Sequence, residues 1–149
     1  MAETVSSHDY LPVFHFKVTI RNESHGFKEV SGLGIELETE DVLEGGGYGY
    51  VYRLPKPAKS KNLVLKRAMQ KASDDLLEWI NNAIVNFQFE LDNVIVTLVD
   101  ENDKPVKKWQ FFGAYPLKVA YSGLDSTKNE LVIQTLELAY RKQTVEDVT

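Results

Sequence analysis

Cysteine is absent from this 149-residue chain, which excludes disulfide bridges and thiolate metal sites. Long apolar runs are missing too. No stretch approaches the roughly 18 residues that a membrane-spanning helix needs. The first ten residues, Met1 to Tyr10, are acidic and polar, with no basic start or apolar segment, so no secretory signal is read there. Imidazoles are few (His8, His15 and His25), and none has a partner at the HExxH spacing of a metal site. No GxSxG elbow occurs. Cations do not dominate either: 17 Lys and Arg stand against 22 Asp and Glu, for a formal charge of −5. That balance argues against a dedicated nucleic-acid surface. With no convergent nucleophile, base and stabilising group, the sequence predicts no enzyme, no catalytic or metal-binding residues and no cofactor.

What is present reads as one domain over residues 1–149. The 43% hydrophobic and 26% charged content is ordinary for a globular chain, and its length supports one core. Residues 1–11 read as a flexible arm. Phe14, Phe16, Val18 and Ile20 alternate with His15, Lys17, Thr19 and Arg21, the pattern of a half-buried strand. After a glycine break, Leu33, Ile35, Leu37 and Thr39 alternate with Gly34, Glu36, Glu38 and Glu40. This predicts a strand with one core face and one acidic face. Glu36, Glu38 and Glu40 then form a ladder at about 7 Å steps, with no apolar pocket to raise a pKa. A solvated or channel-facing ladder is the expectation, not a catalytic pair.

Residues 44–61 are the least globular part. Gly45, Gly46, Gly47 and Gly49 permit backbone angles closed to other residues, and Pro55 and Pro57 stiffen the far end. Tyr48, Tyr50 and Tyr52 are interleaved, and Arg53 follows. The stretch ends in prolines and lacks the GK[ST] of a phosphate loop, so it reads as an extended contact loop (Glu44 to Pro55 above all) that reaches a neighbouring subunit. Charge is segregated in the same region. Glu36, Glu38, Glu40, Asp41 and Glu44 cluster without a cation, whereas no Asp or Glu occurs from Gly45 to Ser73, where Arg53, Lys56, Lys59, Lys61, Lys66, Arg67 and Lys71 lie. Two solvated faces would account for this. So would an acidic and a basic surface suited to head-to-tail contact between copies.

Leu63 and Leu65 alternate on a further strand. Ser73 offers an N-cap, with Asp74 and Asp75 in the first turn, and Leu76, Trp79, Ile80, Ala83, Ile84 and Phe87 follow at helical spacing. A hairpin is expected from Val94–Val99 and Val106–Ala114, with Trp79 and Trp109 as packing residues. A long strand to Tyr140 follows, apolar on both faces, and then a polar tail. Both faces of that strand want cover, which in so small a domain points to another subunit. The sum is a mainly β chain, a small antiparallel β-barrel or sandwich with one flanking α-helix.

Read in order, several motifs resemble the tail-tube protein family of contractile phage tails and extracellular contractile injection systems. They are FxxVSGL (Phe27 to Leu33), EGG (Glu44 to Gly46), NLxLKR (Asn62 to Arg67), PVxxW (Pro105 to Trp109), AYPLK (Ala114 to Lys118) and NELxIxTLELAY (Asn129 to Tyr140). The resemblance implies a fold like that of the haemolysin-coregulated protein of type VI secretion. It also implies homo-hexameric rings, stacked head to tail into a hollow tube whose lumen is lined by hairpins from neighbouring subunits. The implied partners are a contractile sheath, baseplate or tube-initiator and tube-terminator proteins, and a lumenal cargo, either protein effector or phage DNA. A target membrane is met only by the assembled tube. By the same resemblance the chain is made in the bacterial cytoplasm and works in a phage tail or a released tail-like particle. Glu36, Glu38 and Glu40 are candidates for the lumen. A tube-initiator ring at the baseplate is the alternative within this family; a non-assembling β-sandwich binding module is the rival outside it.

Overall fold

The computed structural model describes residues 15–43, 51–59, 61–71 and 74–148. The expected arm 1–11, the segment from Glu44 to Tyr50 and the expected cap Ser73 lie outside them. Within them the architecture is antiparallel β with one helix, as the alternating apolar pattern requires.

One face of the sandwich carries β1 (His15–Ile20), β2 (Glu23–His25), β7 (Asp92–Val99), the first half of β8 (Pro105–Tyr121) and β10 (Lys142–Asp147). The other carries the second half of β8 with β9 (Ile133–Ala139), β6 (Leu63–Ala68) and β3 (Glu29–Ser31). β8 is therefore the hinge of the fold: residues Pro105 to Ala114 pair with β7, and Tyr115 to Tyr121 pair with β9. It turns at Gly113, whose φ of +65° belongs to the left-handed region. There the β7–β8 register slips, Asp92 facing Ala114 while Val94 faces Phe111, so a bulge bends the strand. The side chain of Arg141 packs where a Cβ on Gly113 would sit. Pro116 is accommodated beside a second register slip, where a ladder hydrogen bond is not required of it.

The sandwich stays open among the described residues, with the edges at β2 and β3 not joined. Its interior is built from alternate residues of each strand: Val18 and Ile20, Leu63 and Leu65, Val94 and Val96, Phe111 and Ala114, Leu136 and Leu138. The Phe111 and Tyr140 rings meet at 4.8 Å. Helix α1 (Asp75–Ile84) closes one side with Leu76, Trp79, Ile80 and Ala83 turned inward. Its N-cap is Asp74, whose carboxylate accepts from the Leu77 amide at 3.1 Å. The helix ends at Ile84, one turn before the expected Phe87, which takes a φ of +52°. Trp79 packs in the core as expected, with its indole donating to the Glu90 carbonyl at 2.8 Å.

Two further expectations change. The long last strand begins at Ile133, so Leu131 and Val132, expected within it, lie ahead of it, and Leu131 is exposed. The expected polar tail includes strand β10, which pairs with β8 from Lys142 to Asp147. An edge strand needs few apolar residues, and KQTVED has only one, so periodicity passes over it.

Candidate assembly interface

Among the described residues, strands β4 (Glu36–Leu43) and β5 (Val51–Lys59) pair only with each other, forming a two-stranded ribbon separate from the sandwich. Here the structure corrects the sequence-based expectation of a core-facing stripe. Ile35 and Leu37 are exposed, Leu37 at 58%, and every β4 residue is exposed. Leu43 reaches 77%, and Val51, Tyr52 and Leu54 across the ribbon are open as well. Strict alternation shows which residues share a face, not whether the same chain covers it.

The register assigns the faces. Glu40 lies opposite Leu54 and Val42 opposite Tyr52, so Glu36, Glu38 and Glu40 share a ribbon face with Leu54 and Tyr52. Leu37, Thr39, Asp41 and Leu43 share the opposite face with Pro55, Arg53 and Val51. Between Leu37 and Thr39 the register slips by an extra residue on β5, between its two prolines. Ion pairs decorate the ribbon without burying it: Asp41 meets Arg53 at 3.6 Å, and Glu36 meets Lys61 at 3.3 Å, all four side chains substantially exposed.

Of the residues expected in the contact loop, Tyr52, Arg53 and Pro55 thus lie on strand β5. Glu44, Gly45, Gly46, Gly47, Tyr48 and Tyr50 lie outside the described residues, in the segment that joins the two strands. Glu36, Glu38 and Glu40 alternate along strand β4, and all three are exposed. No group of three or more His, Asp or Glu positioned to hold a metal ion occurs among the described residues.

Where the body meets the helix, sequence reasoning missed a polar cluster. Arg67, read as one of a solvated basic run, is 3% exposed. Its Nε donates to Gln134 at 2.8 Å, its terminal nitrogens hold both Asp74 oxygens, and the guanidinium lies over the Phe27 ring at 5.5 Å. Burial works to raise the Asp74 carboxyl. The Arg67 and Leu77 hydrogen bonds, with the charges of Arg67 and His25, outweigh it and hold the group below its ordinary value. The only hint in the sequence was Gln134, a polar residue on the same strand face as Leu136 and Leu138. This cluster fastens the helix to the body.

Residues 12–144 match the family described as T4-like virus tail tube protein gp19. No curated protein matches the chain. Among solved structures, the PVC sheath–tube complex of an extracellular contractile injection system, in its extended state, is 24% identical with a TM-score of 0.81, over 97% of this chain and 100% of that one. The anti-feeding prophage baseplate, 6-fold symmetrised, is 26% identical with a TM-score of 0.79, over 100% and 99% of the two chains. Hcp1 from Flavobacterium johnsoniae shares the fold at 17% identity and a TM-score of 0.59, over 91% and 97%. With nearly its whole length matched, from the first strand through the first half of β10, the chain belongs to the T4-like virus tail tube protein family.

Proposed function

We propose that this tail tube protein is the repeated subunit of the inner tube of a contractile phage tail or contractile injection system. Six copies form a ring, and rings stack head to tail into a hollow tube. The observation that carries this reading is the β4–β5 ribbon. Both its faces are in water in the single chain, and its apolar side chains stand clear of the body. A free monomer gains nothing from such a patch; a subunit that lends its ribbon to neighbours buries it. Closing a ring also removes free strand edges, which otherwise invite uncontrolled pairing.

The partners follow from that role: a contractile sheath outside, a baseplate below, a terminator above, and protein or DNA cargo within. The chain's part is mechanical, not catalytic, and it is made in the bacterial cytoplasm before the particle acts. Glu36, Glu38 and Glu40 face the lumen, where water solvates them and like charge keeps acidic cargo from sticking. Glu38→Cys in intact tubes then reacts with a small maleimide and resists one wider than the bore. Equal labelling by both would place the row outside.

The likeness to a baseplate chain favours one second reading, a tube-initiator ring. Negative-stain microscopy of the purified protein separates them. Rods of indefinite length are expected of the tube subunit, whereas single rings that never elongate would identify the initiator. Dispersed monomers would remove both and leave a binding module.

A further inference from the structure

The ribbon face opposite the acidic row is apolar and uncovered. Leu43 and Val51 lie directly across from each other on it, both exposed, with Leu37 nearer the root and the Asp41–Arg53 pair in between. With Glu36, Glu38 and Glu40 in the lumen, this second face points back into the tube wall. That wall is made of other copies of the chain, so another copy must cover it.

The ribbon springs from one end of the β6–β9 sheet. There Leu63 faces Leu138, Asn62 donates to Glu137 at 2.7 Å, and Gln143 donates to the Leu33 carbonyl. At the opposite end Ala68 faces Ile133, and the segment from Ser122 to Val132 joins β8 to β9. The seven residues of β9 set these ends roughly 20 Å apart. The joining segment is braced: the Asp125 carboxylate accepts from the Thr127 amide at 3.0 Å and its hydroxyl at 2.6 Å. It encloses a hollow of about 720 Å³ whose lining includes Leu124, Leu131, Lys128 and Glu130. Leu124 is 84% exposed, and Met69 beside the segment is open as well.

Head-to-tail stacking requires two different, complementary surfaces at opposite ends of each copy, and these are two such surfaces. Each presents a pair of exposed apolar side chains with one acid and one base beside them. Lys128 and Glu130 form no ion pair among the described residues. Asp41 and Arg53 meet only each other, in water, where such a pair holds little energy and is readily shared. Resting on the tube and lumen readings above, we infer that the hollow of the Ser122–Val132 segment receives the ribbon of a copy in the next ring. Leu43 and Val51 pack on Leu124 and Leu131, Asp41 meets Lys128, and Arg53 meets Glu130.

The absence of cysteine makes the test clean. Val51→Cys and Leu131→Cys are placed together in one chain, which is assembled and treated with a short bifunctional maleimide. Each contact joins one ring to the next, so denaturing gels should show a ladder of linked chains that runs past the hexamer. Exchanging the loop charges (Lys128→Glu with Glu130→Lys) should cut linkage about fivefold, and adding Asp41→Arg with Arg53→Asp should restore it. Linkage that the first exchange leaves intact, or the second fails to restore, overturns the charge matching. Tubes that give no ladder, or a ladder that ends at the hexamer, overturn the assignment and leave the tube reading standing. Failure of the unmodified protein to assemble overturns the tube reading, and the assignment with it.

Discussion

The guanidinium of Arg67 grips the carboxylate of Asp74 at two points, 3.0 Å and 3.3 Å, and so ties the end of β6 to the first turn of α1. One carboxylate both caps the helix and neutralises a buried cation. The seating of the helix start against the body depends on that tie.

Arg67→Ala should destabilise the fold strongly, since it leaves Asp74 and Gln134 without their partner in a buried setting. Breaking such a pair costs about 3 kcal/mol, at the low end of the usual range because Asp74 is partly open to water. Arg67→Lys keeps the charge but loses the fork, and should fall between the two. Urea titration in a buffer that holds the protein dispersed reads the difference.

Acid should loosen the same tie, with a definite sign. The Asp74 carboxyl lies lower in the folded protein than its ordinary 3.8, so the unfolded chain takes up the proton first. Its stabilisation is full above about pH 4 and is lost as pH falls through the folded value. Asp74→Asn should therefore lower stability at neutral pH and flatten its decline below about pH 4. Parallel acid limbs for the two proteins would contradict this assignment.

Gly32 and Gly34 should part company sharply on mutation to alanine. Gly32 has a φ of +87°, and a Cβ there would lie 2.2 Å from the Asn62 carbonyl oxygen, a backbone atom that cannot step aside. Gly32→Ala should cost more than about 2 kcal/mol, whereas Gly34→Ala meets nothing within 4 Å and should stay within about 0.5 kcal/mol of the parent. Denaturant midpoints of the two variants check the contrast.

The strand pattern was legible where the chain covers its own apolar face. Val18 with Ile20, Leu63 with Leu65, and the helical spacing of Leu76, Trp79, Ile80 and Ala83 all became core. The same alternation misled at Ile35 and Leu37, because periodicity is blind to whether the cover is internal or comes from another copy. Arg67 looked solvated for a related reason. Its partners, the neutralising Asp74 and the hydrogen-bond acceptor Gln134, come from the helix start and from β9, and no local pattern joins them. Strand β10 escaped notice because an edge strand draws its stability from the ladder more than from burial.

Removing the ribbon should abolish assembly without unfolding the body. Glu36 and Lys59 lie directly opposite each other, so an Asn-Gly turn can join them in place of residues 37–58. The shortened chain should keep its urea midpoint within about 0.5 M, since midpoint follows stability and the ribbon adds little to the core. It should also sediment as a monomer. Assembly equal to that of the parent would give the ribbon another task.

Native mass spectrometry of the purified, unmodified protein tests the central claim most directly. A tube subunit should appear as sixfold multiples of its 16.9 kDa mass, one ring and then stacked rings as concentration rises. A single species at 16.9 kDa that persists at high concentration would contradict the account.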